Sequence, residues 1–131
     1  MLVSNPDGTV VSLRELAAGR PLLINYWYAA CPPCKEEMPA LATLAAEFTD
    51  RVTFIGINPQ DDATTAQRVA VERGTTYRQL LDSTQRSVDA LALTGFPTTV
   101  LVSADGTVVG RYRKSFTEAG LRDLINRTLL P

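Results

Sequence analysis

Apolar and polar positions come in blocks along this chain, and the blocks change period. Leu22 to Tyr28 reads LLINYWY, apolar or aromatic at every position but Asn25. A run so short and unbroken predicts a strand covered on both faces, as in a parallel sheet. Val52 to Asn58, VTFIGIN, predicts a second buried strand. Between them the period lengthens. Met38, Leu41, Leu44, Ala45 and Phe48 share one face of a helix running from about Pro32 to Phe48, and Pro39 inside it is expected to kink it.

The flanking segments are shorter. Asn5-Pro6-Asp7-Gly8 predicts a turn, and Thr9 to Ser12 a short strand. Ser12, with Glu15 three residues on, predicts a capped helix over Leu13 to Ala18, ended by Gly19. A polar turn over Pro59 to Thr64 precedes a helix at Thr65 to Glu72, closed by Gly74. Tyr77 to Leu81 reads as a strand and Ser87 to Leu93 as a short helix. Val100 to Val102 and Val108 to Tyr112 are strands joined by the hairpin signal Ala104-Asp105-Gly106-Thr107. Thr117 caps a final helix, Glu118 to Leu129, whose apolar face is Leu121, Leu124, Ile125 and Leu129. Strands alternating with helices predict an α/β fold: a central mixed sheet with parallel pairing through right-handed crossovers and an antiparallel pair at the end.

Composition changes this picture little. The 131 residues predict one domain, 1–131, and 45% apolar with 21% charged residues is ordinary for a globular chain. A net charge of −1 argues against nucleic-acid or membrane-surface binding. No stretch approaches the ~20 apolar residues of a membrane span. Residues 1–20 lack the charged-then-apolar layout of a signal peptide. On those grounds the chain is either cytosolic or preceded in its precursor by an export segment.

The chemistry lies at the junction of strand and helix. Cys31 and Cys34 are the only cysteines. A C-x-x-C at the start of a helix lowers a thiol pKa from about 8.5 to roughly 3.5–7.5, because unpaired N–H groups and the helix dipole favour the thiolate. Cys31 is expected at the N-cap, with Cys34 one turn deeper. Pro32 and Pro33 suit a first turn, where a missing N–H is harmless, and they stiffen the ring. A zinc site needs about four N, S or O ligands. With no histidine and no third cysteine, none is expected here. A disulfide across so short a loop also constrains the unfolded chain weakly, which favours a redox role over a structural one.

Trp27, Cys31-Pro32-Pro33-Cys34, Lys35-Glu36-Glu37-Met38-Pro39, Gly95-Phe96-Pro97-Thr98-Thr99 and the Asp105 to Gly110 hairpin together resemble the TlpA-like, extracytoplasmic thiol–disulfide oxidoreductases of the thioredoxin superfamily. The resemblance covers about residues 8 to 130. It implies a thioredoxin fold with an N-terminal extension and a helical insertion after the second core strand. It implies Cys31 as nucleophile, Cys34 as resolving cysteine and Pro97 as a cis-proline that turns the Phe96 backbone toward an extended substrate. Trp27, Pro32, Pro33, Phe96 and Pro97 are the expected substrate-binding residues, with Trp27 either shielding the dithiol or filling core. The alanines Ala29 and Ala30 are expected to leave Cys31 accessible. Asn25 stands where cytosolic thioredoxins usually carry a buried aspartate, and an amide cannot take a proton from Cys34. Glu37 resembles the glutamate that TlpA-like reductases place near the active site; it is either a proton relay for Cys34 or a solvated helix residue like Glu36.

The implied function is exchange with exported protein thiols and disulfides, by a monomer supplied by a membrane redox partner, without cofactor or metal. Asn25 and Glu37 favour the reductive, cytochrome c maturation type. A disulfide-forming oxidase is the alternative in the same class. A thiol peroxidase would want a threonine and an arginine near the cysteine, where Ala29-Ala30 stand; a metallochaperone would want wider cysteine spacing and a histidine.

Overall fold

The computed structural model describes residues 2–131. Twelve elements follow in order: β1 (Leu2–Ser4), β2 (Val10–Ser12), α1 (Leu13–Ala17), β3 (Leu22–Tyr26), α2 (Pro32–Glu47), β4 (Thr53–Asn58), α3 (Ala63–Glu72), β5 (Arg78–Leu81), α4 (Arg86–Ala90), β6 (Thr98–Val102), β7 (Val108–Tyr112) and α5 (Glu118–Thr128). The seven strands form one sheet in the order β2-β1-β5-β4-β3-β6-β7. The β3–β4 and β4–β5 pairs are parallel; β3–β6, β6–β7, β1–β2 and β1–β5 are antiparallel. The central mixed sheet is therefore as expected, and β5 adds a strand within the insertion between β4 and β6.

Local chemistry explains most boundaries. Ser12 Oγ accepts from Glu15 N at 3.1 Å, Asp62 Oδ1 from Thr65 N at 2.8 Å and Thr117 Oγ1 from Gly120 N at 3.1 Å, so α1, α3 and α5 each start on a short polar side chain. α3 begins at Ala63, two residues before the expected start, because Asp62 provides the cap. Gly106, at φ 91°, closes the β6–β7 hairpin in a conformation that disfavours a side chain. α2 runs as one helix through Pro39.

The core lies on both faces of the sheet. On one, Leu22, Ile24, Tyr26, Ile55, Ile57 and Val100 pack under α1 and α4. On the other, Leu23, Phe54 and Leu101 pack against Leu41 and Leu44 of α2 and Leu121, Leu124 and Ile125 of α5. β3 is buried at every position, which is why its sequence shows no alternation. It stops at Tyr26, two residues before the predicted end. Trp27 N still donates to Ile57 O at 3.1 Å, and the chain then leaves the sheet to bring Cys31 to the tip of α2. No helix among the described residues is long and apolar enough to cross a membrane.

Candidate active site

Three segments meet at the carboxyl ends of β3 and β4. The first is the start of α2. Cys31 is its N-cap, in extended conformation at φ −94° and ψ 102°, and its Sγ accepts from Cys34 N at 3.3 Å. Pro32 and Pro33 occupy the first helical positions, where no donor is lost. Cys31 and Cys34 are joined as a disulfide, S–S 2.12 Å, with Cα atoms 5.3 Å apart. One sulfur therefore sits at the positive end of a sixteen-residue helix with a backbone N–H aimed at it. That environment favours thiolate over thiol once the bond is reduced.

The second segment is the Gly95 to Thr98 loop. The Phe96–Pro97 peptide is cis, and Thr98 Oγ1 donates to Gly95 O at 2.6 Å, tying the loop across its base. The Phe96 ring meets Tyr28 edge-to-face at 5.5 Å. Pro32 and Pro33 are exposed and Phe96 is half-buried, so these three present surface around the dithiol, while Pro97 is buried.

The third segment, Ser115-Phe116, crosses the first turns of α2. Ser115 Oγ donates to Pro33 O at 3.3 Å, and Phe116 N to Glu37 Oε2 at 2.8 Å. Glu37 is 2% exposed and its Oε1 has no protein partner. Burial pushes its carboxyl up to about 7, against the opposing pull of the Phe116 N–H. Glu37 is thus no solvated helix residue like Glu36. It lies three residues from Cys34 on the inner face of α2, with a proton affinity matched to neutral pH.

Two expectations need correcting. Trp27 has no exposed surface: it packs on Cys31, Cys34 and Met38 and against Ala66, Val69 and Ala70 of α3, and its Nε1 donates to Gln79 Oε1 at 3.0 Å. The indole backs the disulfide from inside and does not itself form a docking surface. Cys31 is only 2% exposed despite its small neighbours, because Tyr28, Ala29 and Phe96 close around the disulfide.

The structure also places residues that the sequence did not single out. Asp61 Oδ2 accepts from Ala29 N at 2.7 Å and from Asn58 Nδ2 at 2.8 Å, clamping the loop before Cys31 to the end of β4. Asn58 Oδ1 in turn accepts from Gln60 N and Asp61 N, a side-chain-capped turn of which N-x-x-D is the only sequence trace. Beneath α2, Asn25, Tyr77, Gln79 and Thr99 bring buried polar atoms that make no close hydrogen bond within the protein. Burial pushes the Tyr77 phenol well above the usual tyrosine range; the Asn25 and Gln79 side chains beside its hydroxyl pull it down, and the Glu37 charge pushes it further up.

Redoxin is the family whose model matches, over residues 2–125. The chain belongs to the Redoxin family. It is 31% identical over 113 residues to the thiol-disulfide oxidoreductase ResA of Halalkalibacterium halodurans, covering 86% of this chain and 64% of that protein. It is 29% identical over 117 residues to the thiol:disulfide interchange protein CycY of Rhizobium leguminosarum bv. viciae, covering 88% and 62%. The chain thus spans just under two thirds of these relatives' length. Among solved structures, MTB DsbF in its mixed oxidised and reduced forms superposes with a TM-score of 0.86 at 23% identity, over 97% of this chain and 93% of that one. A putative protein disulfide isomerase from Bacteroides thetaiotaomicron gives 0.84 at 25% identity, over 100% and 86%. These agree with the thioredoxin fold and with the TlpA-like resemblance read from the sequence.

Proposed function

We propose that this Redoxin-family chain exchanges its Cys31–Cys34 dithiol with the disulfides of exported proteins, in the reductive direction and outside the cytoplasm, and is itself re-reduced by a membrane partner. The observation that carries this reading is the disulfide at the tip of α2, with Cys34 N–H on Cys31 Sγ and buried Glu37 one turn below. The relatives' names, thiol-disulfide oxidoreductase and thiol:disulfide interchange protein, support it.

The steps follow from the placement. In the reduced chain the Cys31 thiolate attacks one sulfur of a substrate disulfide, forms a mixed disulfide and expels the other as thiolate. The Cys34 thiol then passes its proton to the Glu37 carboxylate. The resulting thiolate attacks the Cys31 sulfur, closes the ring and releases the second substrate sulfur. The substrate gains two electrons and the chain loses two. When the membrane partner reduces the ring, Glu37 returns its proton to Cys34. A carboxyl near pH 7 can serve in both directions. Asn25, fully buried, cannot substitute for it.

A glutathione redox titration tests the direction. A reductant's potential is expected near that of thioredoxin, about −270 mV; a value above about −150 mV would instead mark an oxidase. Cys31→Ser should abolish exchange, whereas Cys34→Ala should accumulate the mixed disulfide and so identify partners. Glu37→Gln should slow the Cys34 step and shift the cysteine titration. An unchanged titration with an unchanged rate would remove Glu37 from the mechanism.

A further inference from the structure

The cations around the dithiol are arranged unevenly. β7 and the turn after it read Arg111-Tyr112-Arg113-Lys114, leading directly into the Ser115-Phe116 segment that crosses α2. Tyr112 points to the α5 side, where its ring meets Phe116 at 5.9 Å. Arg111 and Arg113, on the opposite side of the strand, line a hollow of about 150 Å³ with Ala92, Leu93, Thr94 and Thr98. Its floor is the base of the loop that carries the cis peptide.

Arg113 lies against that loop. A Cβ on Gly95 would stand 2.8 Å from Arg113 Cδ and 3.1 Å from its Nη1, so the missing side chain is what lets the arginine approach the backbone beside Phe96. Among the described residues, Arg111, Arg113 and Lys114 have no carboxylate within 4.0 Å. Arg122, Arg127 and Arg68 are paired with carboxylates, whereas the remaining arginines and Lys35, directly after Cys34, are not; Arg111, Arg113 and Lys114 are set apart by following one another along β7 and the turn after it. Of the acids nearest this corner, Glu37 is committed to the interior and Glu118 to Arg122, while Glu36 on α2 and Asp89 on α4 are exposed and lie more than 4.0 Å from these cations. Lys114 Nζ rests over the Phe116 ring at 4.8 Å. Across the dithiol, Asp61 is tied to Ala29 and Asn58. Unpaired positive charge therefore flanks the docking face on the Gly95 side.

We propose that the hollow between β7 and the 94–98 loop is a subsite for an acidic side chain of the substrate, so that the chain prefers disulfides flanked by Asp or Glu. This rests on the docking reading proposed above. A segment laid along Phe96 passes Arg113, whose planar fork pairs with a carboxylate in two parallel bonds, and Arg111 and Lys114 add long-range attraction during approach. Charge of this kind discriminates partners and speeds encounter, and it weakens with salt.

Two single-cysteine peptides test it, differing only in Glu or Lys on either side of the cysteine and each joined in a disulfide to 2-mercaptoethanol. The reduced Cys34→Ala chain is mixed with each, and the protein–peptide adduct is followed by mass. Rates are normalised to the same peptides reacting with free 2-mercaptoethanol. The expected result is a roughly tenfold preference for the Glu peptide at low ionic strength, falling toward unity at about 0.5 M salt. Arg113→Glu should invert the preference and Arg113→Gln should reduce it. Arg68→Glu, an equal change in net charge on exposed α3, should leave it intact. A preference near unity in the parent, or one that Arg113→Glu does not alter, overturns the subsite while the oxidoreductase reading stands. No adduct with either peptide overturns the oxidoreductase reading itself.

Discussion

Two rows of residues on the same face of the sheet, one step apart, are built in opposite ways. The first is Leu101, Leu23 and Phe54, paired in register across β6, β3 and β4. It is wholly apolar and closes against Leu41 and Leu44 of α2 and Leu121 and Leu124 of α5. The second, toward the carboxyl ends of the parallel strands, is Thr99, Asn25, Gly56 and Gln79 across β6, β3, β4 and β5. It carries an amide, a hydroxyl and a second amide beneath the part of α2 that bears Cys34 and Glu37. Gly56 leaves room for this: a Cβ there would lie within 2.8 Å of three atoms of the Gln79 amide. Thr99 Oγ1, both amide atoms of Asn25, Gln79 Nε2, Tyr77 Oη and Glu37 Oε1 make no close hydrogen bond within the protein, although the Asn25 and Gln79 side chains lie beside the Tyr77 hydroxyl. Native interiors leave few polar groups so. One row holds α2 to the sheet; the next keeps a polar interior beside the Cys31–Cys34 disulfide.

The largest expected effect is on the apolar row. Leu23 is fully buried between two layers, so Leu23→Ala should lower unfolding free energy by about 2–5 kcal/mol, read from urea denaturation of the oxidised chain. The glutathione potential of the surviving fold should barely move. A large shift in potential with a small loss of stability would erase the division between the rows.

The carboxyl next to the second row gives an effect of intermediate size with a definite pH window. The pKa of Glu37 is raised in the folded state, to about 7 from an ordinary 4.5. The neutral acid is therefore the form the fold accommodates. Its contribution is fully present below about pH 4.5 and is lost as pH rises through about 7, because the unfolded chain releases the proton first. Relative to Glu37→Gln, the wild type should lose about 2–3 kcal/mol of stability between pH 5 and pH 8. A difference that stays flat across that range would mean that the carboxylate is solvated.

How much of this was legible in the sequence depended on the range of the interactions involved. The buried strands, the caps at Ser12 and Thr117 and the cysteines at a helix start were legible because each is written within a few adjacent residues. The strand Leu2–Ser4 was not: three residues cannot display a period, and this one is a strand only because it pairs with Val10–Ser12 and touches Leu81. Glu37 was visible as a neighbour of Cys34, but the N–H it accepts from belongs to Phe116, which is 79 positions away. The same limit hid the depth of Trp27, set by α3 and Gln79, and the Asp61 clamp on Ala29. The polar row was the least legible feature. Its members lie on β3, β4, β5 and β6, and strand register alone aligns them.

The smallest expected effect is the sharpest test of that row. Asn25 is fully buried; neither its Oδ1 nor its Nδ2 makes a close hydrogen bond within the protein, although its side chain lies beside the Tyr77 hydroxyl. Leucine has nearly its shape and no polar atoms to satisfy. Removing a buried amide that makes no close hydrogen bond is near neutral or stabilising, by up to about 1 kcal/mol, whereas removing one held by good hydrogen bonds would strand its partners at about 1–3 kcal/mol. Asn25→Leu should therefore unfold at the same or slightly higher urea concentration. If Asn25 serves the chemistry by keeping the interior beside Cys34 and Glu37 polar, the variant should also shift the pH profile of thiol exchange upward, because a drier site raises the carboxyl further. A clear loss of stability would show instead that Asn25 is a structural hydrogen-bonder, and that the two rows differ in composition but not in purpose.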